Sequence, residues 1–358
     1  MQNIATKEEQ MEAQGSSRTI ATSEKPASQF IFSNLLRRND FQLSVSVLFL
    51  GTLFSLLYPT SFATGDNVTN MARVAAILGT AAIAQSFPLI VGGFDISIAA
   101  TMGFVSIVAS MWMTNGGGVA GGVLVAVLAG TSVGFINGIL VGALRVTPFV
   151  ATLGMMTFLR GLSDQLSDGG SIAGLSPDLA WFGRNNWGPL PSSVGIAFIA
   201  LAIGWVVLAR SRAGLYLFAI GGSRDTARLA GVPVLRYEVL AYTLCGFFAA
   251  VAGVMLTSRI GIGQATLGSG YELQSIATAV IGGVSIGGGV GRLSGVVLGV
   301  TLLIVLTTGL DIGGINQFYQ EMVTGLVLIG AVLIAQTRGA RVSPKLHWRG
   351  GTLRRKVE

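Results

Sequence analysis

The sequence contains little charge for its length. Only 11% of its 358 residues are Asp, Glu, Lys or Arg, whereas 51% are hydrophobic, and the mean hydropathy is +0.68. A water-soluble domain of this length would lack the polar residues that its surface needs. The composition therefore predicts an integral membrane protein and excludes an ordinary soluble enzyme.

Residues that hold metals, nucleotides or disulfides are also scarce. Cys245 is the only cysteine, which excludes a disulfide within the chain, and its apolar surroundings indicate a packing role. His347 is the only histidine, so no histidine cluster for a metal exists. None of the four lysines has the glycine spacing of a phosphate-binding loop, and the glycines at 287–291 lack dinucleotide-fold spacing. We therefore expect no cofactor in this chain.

The basic residues are concentrated in three segments. The net charge is +7, and 17 of the 23 Lys and Arg residues fall within residues 1–42, 210–236 and 337–358, outside the apolar runs. This is the positive-inside pattern of membrane proteins. It predicts that both termini and the 210–236 loop are cytoplasmic, and it disfavours nucleic acid as the reason for the charge.

The sequence contains ten apolar segments that we interpret as membrane helices. The segment at 271–284 is short for the ~20 residues that a spanning helix needs, so we expect an irregular, broken region at 271–291. The predicted fold is an all-α polytopic membrane protein with about ten transmembrane helices. A disordered tail (1–40) precedes the transmembrane domain (41–336), which includes a long outward loop (167–192), and a basic tail (337–358) follows it. The segments cover about 41–59, 71–91, 94–113, 119–144, 148–166, 193–209, 237–258, 271–284, 291–310 and 318–336.

Two glycine-rich segments look alike. Residues 91–97 read VGGFDIS and residues 281–287 read IGGVSIG. Such a likeness could mark the paired halves of a transporter. The count of spans, however, places both segments on the cytoplasmic side, which an inverted repeat would not do. Either a span boundary differs from the prediction or the likeness is a coincidence of glycine-rich sequence.

Ionisable residues inside the apolar segments are few. Arg160 and Asp164 are four residues apart, which favours a local ion pair, and Glu321 lies near a helix N-terminus, where its charge suits the helix dipole. No proton relay emerges, which favours energy supplied by a partner ATPase over an ion gradient. Amide, carboxylate and hydroxyl side chains that could line a translocation path are Gln85, Asp95, Ser97, Asn137, Thr152 and Gln274.

The basic loop at 210–236 contains a short helix with a start and a stop. Ser223 or Asp225 can cap it, and Gly231 with Pro233 ends it after about two turns. Apolar segments long enough to cross a bilayer lie on both sides of the loop. This pattern predicts a docking site for another protein.

Four motifs carry a resemblance to a known family. The motifs are VGGFDISIAATMG (91–103), NGILVGALRVTPFVATLGMMTFLRGL (137–162), AIGGSRDTARLAGV (219–232) and ATAVIGGVSIGGGVGRLSGVVLG (277–299). In this order along the chain, they resemble the inner-membrane permeases of bacterial sugar ABC importers, the family that includes the ribose, xylose, arabinose and autoinducer-2 permeases. The resemblance covers about residues 41–336.

The resemblance implies a type II importer-like permease of the bacterial inner membrane. Such a permease moves a pentose-like monosaccharide by alternating access and is not itself an enzyme. The implied partners are a second permease subunit, identical or different, a cytoplasmic ABC ATPase that binds ATP and magnesium, and a periplasmic sugar-binding protein. The short helix matches the ATPase-coupling element of the family. Its implied coupling residues are Gly221, Gly222, Arg224, Asp225, Ala227, Arg228, Leu229, Ala230 and Gly231.

Three arginines are predicted on the outward side, against the charge rule. We expect Arg73, Arg184 and Arg259 to meet acidic residues of the binding protein. Two alternatives remain open at this point. The chain could be a secondary carrier or channel for a small polar solute, which would work without an ATPase. It could also be the same kind of importer with a nucleoside or a branched-chain amino acid as cargo, which only a substrate assay separates.

Overall fold

Twelve α-helices make up most of residues 39–340, the part of the chain that the computed structural model describes. The predicted tails at 1–40 and 337–358 lie almost wholly outside these residues. The helices are α1 (Asn39–Leu57), α2 (Gly65–Ile90), α3 (Ile98–Thr114), α4 (Val119–Gly142), α5 (Pro148–Leu166), α6 (Ser192–Trp205), α7 (Arg212–Gly222), α8 (Arg224–Leu229), α9 (Val234–Ile260), α10 (Tyr271–Ile281), α11 (Leu293–Ile312) and α12 (Gln317–Ala340).

Each of the ten predicted apolar segments corresponds to one helix, which confirms the all-α membrane fold. The two remaining helices, α7 and α8, form the basic loop. A π-helical turn, Val206–Arg210, extends α6 toward that loop. Within the described residues, six helices are long and apolar enough to cross a membrane: α1, α2, α4, α6 with its π-helical turn, α9 and α11.

The two ends of the bundle carry different elements. At one end, here named the α8 end, the backbone amide of Gly289 donates to the carbonyl of Ile90 at 2.9 Å, close to the end of α7. The opposite end, the loop end, carries residues 167–191, with a 3₁₀ helix (Pro177–Phe182) and a two-stranded hairpin of β1 (Asn186–Trp187) and β2 (Leu190–Pro191).

The loop at 167–191 folds back over α9 and the chain that follows it. Ile172 pairs with Gly263, and the Ser258 hydroxyl of α9 donates to the Leu179 carbonyl. Trp181, which is half exposed, lies 4.8 Å from Trp187 between ring centroids. This segment therefore covers the loop end of the bundle, as a lid would.

The region at 271–291 is irregular, as the sequence predicts. Helix α10 has eleven residues, and the chain then turns before α11 begins at Leu293. Gly283 and Gly288 have φ of +92° and +85°, values that side-chain-bearing residues rarely adopt. The turn brings Gly288 against the backbone amide of Gly92, so both look-alike segments lie at the α8 end. An inverted repeat would have placed them at opposite ends.

Helix α9 lies at the centre of the bundle, packed against α2, α3 and α4. Gly134 of α4 faces the carbonyl of Tyr242, and Gly246 of α9 faces the carbonyl of Gly130, with no room for a methyl group at either glycine. Small residues at such crossings let helix backbones approach closely. This approach fixes Tyr242 and Cys245, both fully buried, next to the loop between α2 and α3.

Candidate functional site

Helix α8 is a short, capped element at the surface of the α8 end. Ser223 is its N-cap, because the Ser223 hydroxyl accepts a hydrogen bond from the Thr226 amide at 3.3 Å and lies 2.9 Å from the Thr226 hydroxyl. Of the two caps that the sequence allows, Ser223 is therefore the one used. Gly231, with φ of +80°, follows the last turn and stops the helix.

The inner face of α8 contacts the rest of the chain. Ala227 is 4% exposed and packs in an apolar cluster with Ile220 of α7 and Val234 of α9. Arg224 forms an ion pair with Glu238 of α9, and the Glu238 side chain is only 6% exposed. The resemblance implied that both residues contact an ATPase. Arg224 and Ala227 contact this chain and attach α8 to it, and their contact with an ATPase stays a prediction, since 39% of the Arg224 side chain is exposed.

The outer face of α8 is open. Asp225, Arg228 and Leu229 are exposed, and Leu229 has 89% of its surface accessible. Ala230 and Gly231 continue this exposed edge. Among residues 39–340, no ion pair or side-chain hydrogen bond engages Asp225 or Arg228. Arginine is enriched at protein interfaces and at their hot spots, so exposed Arg228 is the candidate anchor of a protein-binding surface on this face.

Glycines at the end of α7, just before α8, contact the end of α2 and the loop before α11, and we name this contact the glycine junction. A methyl group on Gly221 would collide with the Ile90 carbonyl at the end of α2 and with the Gly289 amide before α11. A methyl group on Gly289 would lie 2.8 Å from the Gly222 nitrogen. Three backbone segments thus touch directly, with no side chain between them.

A second site is the polar cluster, which we define as Gln85, Asp95, Ser97, Asn137 and Thr152. Asp95 Oδ1 accepts from the Ser97 amide at 2.8 Å and from the Ser97 hydroxyl at 2.6 Å. Asn137 Nδ2 donates to Asp95 Oδ2 at 3.2 Å and to Ser97 Oγ at 2.9 Å. The cluster therefore contains five of the six side chains predicted to line a path.

The remaining members bind the backbone of the α2–α3 loop. Thr152 Oγ1 accepts from the Ile96 amide at 3.2 Å. With the Gln85 amide turned to the orientation that satisfies both of its groups, its nitrogen donates to the Asp95 carbonyl at 3.0 Å and its oxygen accepts from the Asp95 amide at 3.2 Å. All five side chains are buried. In this conformation they hold the loop to α2, α4 and α5 and present no open surface.

Helix α9 contributes residues that the sequence reasoning missed. The Cys245 side chain lies beside Asp95, and Tyr242, whose hydroxyl has no partner among the described residues, lies against Gly93. Glu238, Tyr242 and Cys245 share one face of α9, at spacings of four and three residues. From this spacing, the sequence could have predicted that these three residues share a helical face. It did not show that this face of α9 is directed toward Asp95.

Gln274 and Arg160 lie apart from the polar cluster. Gln274 is half-buried on α10. Arg160 does not pair with Asp164, so that prediction was wrong. Arg160 Nη2 lies 3.9 Å from Glu272 Oε1, whose side chain is 17% exposed, whereas Asp164 is exposed. A partly buried carboxylate is screened less by solvent and so attracts the cation more strongly.

The arginine patch, defined as Arg73, Arg184 and Arg259, forms at the loop end. Arg73 donates to the Asn186 side chain at 2.8 Å, and Arg259 donates to the Asn70 side chain at 2.9 Å. Arg184 donates to the carbonyl of Arg259 at 3.3 Å. The structure thus brings together three arginines from α2, the 167–191 loop and α9, and none has an acidic partner among the described residues.

A metal cluster is not visible in residues 39–340. No three His, Cys, Asp or Glu side chains are grouped there as ion ligands. Glu321, the remaining predicted ionisable residue, is exposed near the start of α12 and accepts from Gln317 at 3.4 Å.

The chain is similar to known permeases along most of its length. It is 35% identical to the ribose import permease protein RbsC of Bacillus subtilis (strain 168), over 83% of this chain and 92% of the relative. It is 32% identical to RbsC of Escherichia coli (strain K12), over 81% and 91%. It is also 32% identical to the L-arabinose transport system permease protein AraH of the same strain, over 89% and 96%.

No solved structure matches this chain significantly. The family match covers residues 67–332, from the start of α2 into α12, and includes α8, the polar cluster and the arginine patch. The relatives are transport components of the membrane, in agreement with the apolar helices. The chain therefore belongs to the family described as branched-chain amino acid transport system / permease component.

Proposed function

We propose that this chain is the membrane permease subunit of a bacterial ABC importer that moves a pentose-like monosaccharide by alternating access. The relatives named for ribose and arabinose import support the sugar class. The observation that carries the proposal is helix α8, which is fixed to the bundle by its inner face and leaves Asp225, Arg228 and Leu229 open.

The outer face of α8 is the proposed contact for a cytoplasmic ABC ATPase. The clustering of basic residues in 210–236 and in both tails supports a cytoplasmic position for the α8 end and for both termini of this inner-membrane protein. ATP and magnesium are then bound by the ATPase, and this chain contributes no catalytic group. A rigid helix bordered by glycines is suited to transmit a rigid-body movement.

A second permease subunit is proposed to cover the exposed face of α5. Gly154, Thr157 and Gly161 line an open groove on this helix, and Arg160 has 45% of its side chain exposed. A charge facing lipid inside a membrane is costly, so such a face favours water or protein as its neighbour. The two α5 faces would then border a shared path.

In this arrangement the polar cluster closes the path at the α8 end. Its side chains hydrogen-bond to one another and to the α2–α3 loop in the conformation described here, and separation of α2, α4 and α5 would expose them to sugar hydroxyls. Gln274 on α10 is the sixth proposed contact. Because the family description names branched-chain amino acids, an amino acid is the alternative cargo that the assay must include.

Reconstitution tests the function directly. We expect the chain, assembled in proteoliposomes with its partner ATPase and binding protein, to support ATP hydrolysis that ribose or arabinose raises several-fold. Leucine and adenosine serve as matched cargo controls. Uptake of solute by the chain alone, without the ATPase, would instead establish a secondary carrier or channel.

The arginine patch is the proposed docking surface for the binding protein. Reversal of charge in the double variant Arg73→Glu/Arg259→Glu is expected to lower the affinity of the binding protein at least about tenfold, because surface charges steer association between complementary partners. Surface plasmon resonance with the permease in nanodiscs measures the affinity of the binding protein. Asp66→Lys, which alters an exposed charge of α2 outside the patch, is the control. Equal affinity of the double variant and the wild type would contradict this docking surface.

A further inference from the structure

Glu238 is a buried carboxylate near the start of α9. It is 5% exposed, and the guanidinium of Arg224 is its one cationic partner within the described part of the chain. Arg224 belongs to α8, a helix of six residues, whereas Glu238 belongs to the central helix of the bundle. The ion pair thus joins the smallest helix at the surface to the longest helix of the core.

We propose that Glu238 is a positioning residue that couples movement of α8 to α9 through its ion pair with Arg224. This inference rests on the proposed function, since it assigns the step between ATPase docking and movement of the membrane helices. It also separates two roles on α8. Asp225, Arg228 and Leu229 bind the ATPase, and Arg224 passes the displacement inward.

Burial of Glu238 makes the coupling strong. A carboxylate held away from water needs its cationic partner, because an unpaired buried charge is strongly unfavourable. Displacement of α8 therefore either carries the start of α9 with it or leaves Glu238 unpaired. The apolar contact of Ala227 with Val234 acts in the same direction, because it ties α8 to the first residue of α9.

The face of α9 that carries Glu238 also carries, further along the helix, residues that lie next to the polar cluster. Tyr242 lies one turn further along α9, and Cys245, which lies beside Asp95, follows almost one turn beyond Tyr242. Tyr242 and Cys245 are both fully buried. A shift of α9 at Glu238 therefore displaces the groups that hold the α2–α3 loop, at the position proposed to close the path.

The test separates coupling from docking. In the complete reconstituted transporter, we expect Glu238→Gln to retain ATPase association, measured by co-purification, while the number of sugar molecules imported per ATP hydrolysed falls about fivefold or more. Arg224→Gln should give the same fall, and because Arg224 is partly exposed, this variant tests the proposal even if Glu238→Gln does not fold. Arg236→Gln is the matched control, since Arg236 is an exposed arginine of α9 outside the ion pair.

Charge exchange distinguishes transmission from simple packing. The double variant Arg224→Glu/Glu238→Arg restores an ion pair with the two charges exchanged. We expect it to recover at least half of the sugar import per ATP hydrolysed that is lost in the single variants. Unchanged ratios in both single variants would refute the proposal, as would a loss of ATPase association equal to the loss of transport.

Failure of the proposed function has a different signature. If the wild-type chain does not co-purify with the ATPase, or imports solute without ATP, then the function is wrong. If wild-type transport is ATP-driven but the single variants behave as Arg236→Gln does, only the role of Glu238 is wrong.

Discussion

Arg228→Glu is expected to abolish productive contact with the ATPase while leaving the permease folded. Arg228 lies on the outer face of α8, is exposed and has no ion pair within residues 39–340. Replacing it should therefore change the folding stability of the isolated chain very little. Arginines that anchor an interface contribute about 2 kcal/mol or more, and charge reversal adds repulsion. We expect a weakening of about a hundredfold or more, which corresponds to about 2.8 kcal/mol.

Titration of the ATPase onto permease nanodiscs measures this change. Arg236→Glu is the matched control, because it makes the same charge reversal at an exposed arginine close in sequence but outside α8. Arg228→Lys retains the positive charge, so its affinity for the ATPase should fall less than that of Arg228→Glu. If the Arg228→Glu variant binds the ATPase as tightly as the control does, the outer face of α8 is not part of the interface with the ATPase.

The second large effect concerns stability rather than docking. Asp95→Ala removes the acceptor of the Ser97 amide, the Ser97 hydroxyl and the Asn137 amide, all in a buried site. Donors left without partners away from water cost about 1 to 3 kcal/mol each, only partly relieved by rearrangement. We expect a loss of about 3 kcal/mol in the free energy of unfolding.

Thermal unfolding in detergent, monitored by size-exclusion chromatography, measures the loss of stability as a fall in Tm. Asp95→Asn keeps the shape and one acceptor, so a smaller fall is expected. Asp164→Ala removes an exposed carboxylate and should change the free energy of unfolding by less than about 0.5 kcal/mol. Similar Tm values for Asp95→Ala and Asp164→Ala would show that the polar cluster does not stabilise the fold.

Much of the fold could be predicted because membrane helices leave a strong local signal. The ten apolar segments, the short irregular region at 271–291 and the stop of α8 at Gly231 all depend on nearby residues. Lipid requires each spanning segment to satisfy its own backbone, so apolar length alone identifies it.

The candidate site was predictable only in part. Polar residues within or beside apolar segments indicated Gln85, Asp95 and Asn137, but the sequence did not show that Asn137 binds Asp95, which lies 42 residues away. Similarly, the spacing of α8 indicated a docking helix without showing that Arg224 faces inward. Which groups meet across helices depends on how the helices pack, and a single sequence does not display that packing.

The ion pair of Arg160 shows the limit of local rules. The four-residue spacing favoured Asp164, yet the structure pairs Arg160 with Glu272, 112 positions further along the chain. Spacing rules for isolated helices describe small preferences in water. Contacts between helices replace them once a partly buried carboxylate is within reach.

Helix α9 connects the two ends of the molecule. Glu238 lies near its start, beside α8, and Arg259 lies in its last turn, within the arginine patch. Their separation of 21 positions spans roughly 32 Å at the rise of an α-helix. As a stiff lever of that length, α9 converts a tilt of about 5° into a displacement of roughly 3 Å at its far end. If that tilt alters affinity at one end, thermodynamic linkage requires an equal change at the other, so each of the proposed partners would sense the other through one helix.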